Sequence, residues 1–307
     1  MQVARPNFIT SESPATSFTT RLTTLLIVTL LLTTVVSCGT TNSGKGFQFS
    51  ADQLRPSAGP VGTEEQTTPT TSAPATDWRV EIATATKPVV DVHATKPGSG
   101  TPPTTVPAVG SVQPIPRADL LSAGSRVTST GWQFDNPTYF GNPLVFLVTQ
   151  NDGDYLKVKI PARPNHQEGW VRSSDVTLSS HSFHVELKLS EFLLRAWDGD
   201  NLIAETNVVI GAAATKTPLG RFYINEKIPQ QDPNGFYGPW VLSTNGYSES
   251  LDMFGNPPGL PVIAFHGTNQ PGLIGTANSN GCVRMPNEVV TQLAQVLPAG
   301  TPINIVA

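Results

Sequence analysis

Cysteine is scarce in this sequence: Cys38 and Cys282 are the only two. A stapled framework of several disulfides is therefore excluded. Charge is scarce too, with Asp, Glu, Lys and Arg making up 14% of the chain, against about 25% in an ordinary soluble domain. A helix-rich cytosolic enzyme or a charge-laced coiled coil fits poorly. The formal net charge is −4, which leaves no basic footprint for nucleic acid. What is plentiful is turn chemistry, with 28 Pro and 26 Gly in 307 residues. The reading is a mainly β protein with irregular segments, and the length favours two domains at about 100–200 residues each.

The one long apolar run, Leu22 to Val36, has fifteen residues and follows Arg5 and Arg21. That is short of the ~20 residues a bilayer span needs and suits a signal-peptide core. It ends Val35-Val36-Ser37-Cys38, which resembles the lipobox of bacterial lipoproteins. The resemblance implies a signal peptide at 1–37, cleavage before Cys38 and a diacylglycerol on its sulfur. The protein would then be exported, anchored to the membrane by lipid on the outer face of the cytoplasmic membrane, facing the cell wall. An uncleaved signal anchor with an incidental cysteine is the other reading, and it too exports the rest of the chain. With Cys38 lipidated, Cys282 is a lone thiol in an oxidising compartment and calls for a use.

Residues 38–76 are rich in Thr, Ser, Pro, Gly and Ala, a composition that buries too little apolar surface to offset chain entropy; a disordered linker is expected. Alternating strand patterns begin at Trp78–Ala83 and Val89–Ala94, followed by a second Pro/Gly/Thr-rich patch near 97–117, read as a flexible insertion. Strands resume at Leu144–Val148 and Tyr155–Ile160, with Asn151-Asp152-Gly153-Asp154 as the hairpin turn, and at Gly169–Arg172. Together, 77–180 resembles a bacterial SH3-like β-barrel, whose last strand commonly reads Gly-Trp-Val. Trp170 there is either core or ligand platform. From Phe183 strands come quickly: 184–189, 192–197 and 202–210, with Asp198–Asn201 as a turn. This predicts a β-sandwich or barrel over 181–307. One helix is expected near the end, with Asn287 as its cap and Val289, Val290, Leu293, Val296 and Leu297 on one face; a strand at Ile303–Val306 closes the chain.

Two motifs carry chemistry: Phe265-His266-Gly267-Thr268 and Ser279-Asn280-Gly281-Cys282-Val283-Arg284-Met285. A thiol attacks as thiolate, and an imidazole partner can take its proton. On spacing alone, a Cys/His pair and a buried inert cysteine are both open. The segment 229–261, with Phe236-Tyr237-Gly238-Pro239-Trp240, reads as a long loop, either an active-site lid or core packing. His93, His166, His181 and His184 form no metal-ligand pattern, so no metal and no cofactor are expected.

The two motifs in order resemble the L,D-transpeptidase (YkuD-type) catalytic domain, together with Thr217-Pro218-Leu219-Gly220-Arg221-Phe222 upstream and Gly300-Thr301-Pro302-Ile303 at the end. The likeness covers about 183–307. It implies a peptidoglycan L,D-transpeptidase, an acyltransferase in which Cys282 is the nucleophile. Cys282 would form a thioester with one peptidoglycan stem peptide, the donor, and pass it to a second, the acceptor, in a 3→3 cross-link. His266 would be the general base and acid, with the Gly267 carbonyl orienting it. The amides of Asn280, Gly281 and Cys282 would form the oxyanion hole, supported by Ser279, Thr268 and Arg284. Arg284 either orients a carboxylate or braces the loop. Carbapenem-type β-lactams would be covalent inhibitors. Asn280 departs from the histidine usual at its position, which removes a second imidazole and leaves the backbone amide. Two alternatives stand beside this reading: an L,D-carboxypeptidase or D-amino-acid exchange enzyme using the same thioester, and a non-catalytic wall-binding lipoprotein.

Overall fold

The computed structural model describes residues 77–100, 124–255 and 259–307. The expected signal peptide, Cys38, the linker to residue 76 and most of the patch at 97–117 lie outside them. The fold is mainly β. Eight strands build the first sheet: β1 (Val80–Ala85), β2 (Val89–His93), β3 (Ser125–Thr128), β4 (Gly131–Asp135), β5 (Val145–Asn151), β6 (Tyr155–Lys159), β7 (Glu168–Arg172) and β8 (Val176–His181). Their order is β3-β4-β2-β7-β6-β5-β1-β8, and every pairing is antiparallel.

Alternation sets the faces. In β6, Leu156 and Val158 point into the core, while Lys157 and Lys159 turn to Glu168 at 3.0 and 3.8 Å. The β5–β6 turn uses Gly153 at φ 77°, a left-handed conformation that glycine adopts freely. Trp132 is the core tryptophan of this sheet, 4% exposed, packed with Phe134, Phe146 and Val171. Trp170 is only half-buried, with the Lys96 ammonium 5.5 Å above its ring. Sequence alone did not single out β3, β4 or β8, whose alternation is masked by Ser, Thr and Gln.

The chain crosses at Ser182 into β9 (Phe183–Lys188), β10 (Leu193–Asp198), β11 (Asn201–Asn207), the short β12 (Ile210–Gly211), β13 (Gly220–Pro229), β14 (Trp240–Tyr247), β15 (Val262–His266), the short β16 (Ala277–Ser279), β17 (Val283–Arg284), α1 (Asn287–Val296) and β18 (Pro302–Val306). The second large sheet runs β11-β10-β9-β18-β13-β14-β15-β17, and β12 pairs with β16 apart from it. Here β18–β9 and β15–β17 are parallel. Helix α1 presses Val290, Leu293 and Ala294 onto a core that includes Phe222, Leu242, Phe265 and Met285.

Three expectations are corrected. Residues 229–261 are not one long loop, because β14 occupies 240–247 and pairs with both β13 and β15. Its Gly, Asn and aromatic residues obscured a strand covered on both edges. The helix cap is Pro286, not Asn287; the Asn287 side chain instead accepts a hydrogen bond from the Thr268 amide at 2.7 Å. Val296 lies exposed rather than on the packed face.

The sheets share an apolar contact in which Val80, Ile82, Val145 and Leu147 surround Tyr223. Tyr223 Oη donates to the Val145 carbonyl at 3.2 Å. Ile82 also packs on Gly300, at φ 94°, where a Cβ would collide with its side chain.

Candidate active site

The site forms where the parallel strands β15 and β17 meet. Their register places Phe265 beside Val283 and His266 beside Arg284, and the Met285 amide donates to the His266 carbonyl at 2.9 Å. Residues distant in sequence are thereby fixed on adjoining backbone. Cys282 sits one residue before β17. Its Sγ donates to the Val262 carbonyl at 3.6 Å, and the Ala264 amide hydrogen-bonds the sulfur.

His266 is 0% exposed. Its Nδ1 lies 2.7 Å from the Gly267 carbonyl. A carbonyl only accepts, so Nδ1 carries the proton and Nε2 holds the free lone pair. Nε2 is buried and has no protein partner among the described residues. Burial drives the imidazole pKa down to about 4, with the Arg284 charge adding to the fall and the Gly267 hydrogen bond opposing it. Crowding around the Cys282 thiol pushes its pKa above the ordinary value, against the Ala264 amide and the Arg284 charge. Both shifts favour neutral forms. At pH 7 the thiol and the imidazole are each uncharged, and the imidazole can accept a proton at Nε2.

The loop 279–282 is folded by one hydroxyl. Ser279 Oγ donates to the Cys282 carbonyl at 2.6 Å and accepts from the Gly281 amide at 3.1 Å. The Gly281 amide is therefore withdrawn from the set of three expected to face an oxyanion. The amides of Asn280 and Cys282 make no hydrogen bond among the described residues. Gly281 adopts φ 115°, and a Cβ there would lie 2.9 Å from Ile263, so the position requires glycine. Thr217 Oγ1 donates to the Gly281 carbonyl at 2.8 Å, and Thr215 Oγ1 to the Ser279 carbonyl at 2.8 Å. The turn at 214–220 is thus a prop for the cysteine loop. Asn280 itself is exposed.

Thr268 is buried and shapes the turn after His266, its Oγ1 accepting from the Gln270 amide at 2.9 Å. Arg284 is buried as well. Its Nη1 donates to Gln270 Oε1 at 3.2 Å, and its guanidinium lies 4.6 Å over the Phe236 ring. These contacts hold the guanidinium in place, while Nε keeps a free donor among the described residues.

Sequence reasoning left Phe236 and Tyr237 in a segment read as either an active-site lid or core packing; their rings lie 5.9 and 5.0 Å from the His266 ring. Burial raises the Tyr237 pKa, and the Cys282 charge adds to the rise. The only sequence signal was two adjacent aromatics before Gly-Pro. Among the described residues, no group of three His, Cys, Asp or Glu side chains could hold a metal ion.

Residues 182–305 match the family model of the L,D-transpeptidase catalytic domain, YkuD. The YkuD protein of Bacillus licheniformis is 33% identical over 123 residues, covering 40% of this chain and 65% of its own length. That of Bacillus subtilis is 28% identical over 152 residues, 48% of this chain and 83% of its own. Among solved structures, the catalytic domain of the Enterococcus faecium L,D-transpeptidase, acylated by ertapenem, is 20% identical over 40% of this chain and 95% of that one, with a TM-score of 0.29.

Proposed function

We propose that the protein is a peptidoglycan L,D-transpeptidase working through a Cys282 thioester. The observation that carries the reading is His266 at the end of β15: buried, neutral and locked by the Gly267 carbonyl with its Nε2 lone pair free, while the Cys282 thiol is held by the Val262 carbonyl of the same strand. As sulfur attacks the donor carbonyl, the thiol proton passes to Nε2. The oxyanion is met by the Asn280 and Cys282 amides. Collapse breaks the amide bond, and the leaving amine takes the proton from His266. A thioester remains. An amine of the acceptor stem attacks it, losing a proton to His266 as the C–S bond breaks and the sulfur regains that proton. Carbapenem-type β-lactams would acylate the same sulfur. In this reading Cys38 carries the lipid that holds the chain outside the cytoplasmic membrane, and 77–180 is an SH3-like module that positions the site on the wall.

The test incubates the full chain with a disaccharide-tetrapeptide and reads products by mass spectrometry beside Cys282→Ala. A cross-linked dimer absent from the variant supports the reading. Tripeptide alone replaces it with a carboxypeptidase. No product and no acyl-enzyme, from folded protein, leaves a wall-binding lipoprotein.

A further inference from the structure

Arg163 is a charged side chain only 6% exposed, and it lies in the first sheet's part of the chain, in the loop between β6 and β7. Buried guanidinium groups need several acceptors, and these come from the segment that follows β14. Its Nη2 donates to the carbonyls of Ser248 and Leu251 at 3.0 and 2.9 Å, and Nη1 to that of Asp252 at 3.3 Å. The same loop supplies Asn165, whose side-chain amide donates to the Tyr247 carbonyl and accepts from the Tyr247 amide, both at 2.9 Å. An amide that both gives to and takes from one residue imitates a neighbouring strand. Asn165 thus serves the edge of β14 that β13 no longer covers, since their pairing ends at Ile224–Thr244. Tyr247 Oη completes the joint on the Pro161 carbonyl at 3.0 Å.

This joint ends beside the thiol's own support. Tyr247 is the register partner of Val262. Ser248, held at its carbonyl by Arg163, donates its amide to Pro261 at 2.8 Å, the residue just before Val262. The Val262 carbonyl receives the Cys282 thiol and the Ala264 amide bonds its sulfur. We infer that Arg163 and Asn165 are positioning residues for the reaction: the 160–167 loop fixes the start of β15 and so the placement of the Cys282 sulfur against His266. The inference rests on the proposed role of Cys282 and His266. It makes the first sheet's loop a working part of the catalytic centre.

The experiment compares the full chain with Arg163→Ala, Arg163→Lys and Asn165→Ala, using Tyr223→Phe as the control. Tyr223 joins the same two sheets through its hydroxyl on the Val145 carbonyl, a bond that involves neither Arg163 nor Asn165. Two rates are read at a temperature where each variant is folded: acylation of Cys282 by a carbapenem, across concentrations, and alkylation of Cys282 by iodoacetamide, across pH. Arg163→Ala should lower the saturating acylation rate by on the order of tenfold or more, as small misplacements of reacting groups do, with little change in half-saturation. Alkylation near pH 7 should rise as the thiol loses its enclosure. Asn165→Ala should move both rates the same way. Arg163→Lys should fall between, because an ammonium cannot span three carbonyls as the guanidinium fork does. Tyr223→Phe should leave both rates at the parent value. The inference is overturned if Arg163→Ala keeps both parent rates, or if Tyr223→Phe shifts them equally. Should Arg163→Ala not fold, Arg163→Lys and Asn165→Ala decide it on the same terms. If the parent chain resists carbapenem, the transpeptidase reading loses support, while alkylation still decides whether the clamp sets the thiol.

Discussion

The two large sheets use burial differently. In the first, all pairings are antiparallel and the charged side chains pair near the surface, as in Lys96–Asp152 at 2.8 Å and Arg126–Asp135 at 2.9 Å. In the second, β15 and β17 run parallel, which requires the chain to leave and return. The return puts His266 beside Arg284 and the Cys282 thiol against β15. It also leaves His266 Nε2 and Arg284 Nε buried without partners among the described residues. Most buried polar atoms are satisfied, so each such atom calls for an explanation. Burial shifts protonation in both sheets, at His181 and Lys159 in the first and at His266 and Cys282 in the second; among the described residues, only around β15 and β17 do a buried imidazole and a thiol hang on one strand.

The largest effects should separate these uses. Cys282→Ala should abolish acylation by a carbapenem while leaving the thermal midpoint close to the parent value. His266→Ala should slow acylation by about 10²–10⁴, the usual contribution of general acid–base catalysis. Phe146→Ala, in the buried core of the first sheet, should do the reverse. It should cost about 3–5 kcal/mol of stability, while the fraction still folded reacts at the parent rate. Denaturant titration and stopped-flow acylation on the same samples check all three. A His266→Ala rate within threefold of the parent would remove the imidazole from the mechanism.

Acid provides a second separation. The His266 pKa is lowered to about 4 in the folded chain, against about 6.5 unfolded. Stability from this group is complete above pH 6.5 and declines as pH falls toward 4, because the unfolded chain takes up the proton first. The loss should approach about 3 kcal/mol. Glu226 acts oppositely: burial raises its carboxyl pKa, so its cost is relieved on acidification. The clean observable is therefore the difference between the parent chain and His266→Gln from pH 7 to 4.5, with the parent losing more. Acylation should stay near its neutral rate at pH 5.5 and decline only near pH 4. A midpoint near 6.5 would contradict the burial argument.

Legibility in the sequence follows how local each feature is. The β5–β6 hairpin was readable because Asn-Asp-Gly-Asp sits between alternating apolar residues. Strand β14 was not, because Ser243 to Gly246 have little strand character and gain it from β13 and β15 on either side. His266 and Cys282 stood out as residue types in motifs. Their two motifs are brought onto adjoining backbone by the parallel β15–β17 pairing, which no local pattern encodes. Asn287 looked like a helix cap and instead holds Thr268; the cap rule sees one helix end, while the side chain answers to the turn after His266. Phe236 and Tyr237 become part of the site only when the chain before β14 folds back over His266.

Within the cysteine loop the expected effects shrink. Ser279→Ala removes the hydroxyl that joins the Gly281 amide to the Cys282 carbonyl, and a buried donor left unsatisfied costs about 1–3 kcal/mol. Acylation should fall roughly ten- to hundredfold if that loss is expressed in the placement of the thiol and of the flanking amides. Rescue by Ser279→Thr, which restores the hydroxyl, would separate this role from simple loss of packing.

The smallest effect is expected at Asn280. Its side chain is exposed, and what it offers an oxyanion is a backbone amide that substitution leaves in place. Asn280→His would add an imidazole beside the thiol without moving that amide, so the acylation rate should change by less than about tenfold. The contrast with Ser279 is the point. Two neighbours in one loop should differ sharply because one is buried and holds the backbone, whereas the other faces solvent. A rise of several orders of magnitude in Asn280→His would mean that His266 alone is an inadequate base here and that the present site works far below its capacity. A modest change would place the catalytic contribution of the loop in its backbone, where Ser279, Thr215 and Thr217 hold it.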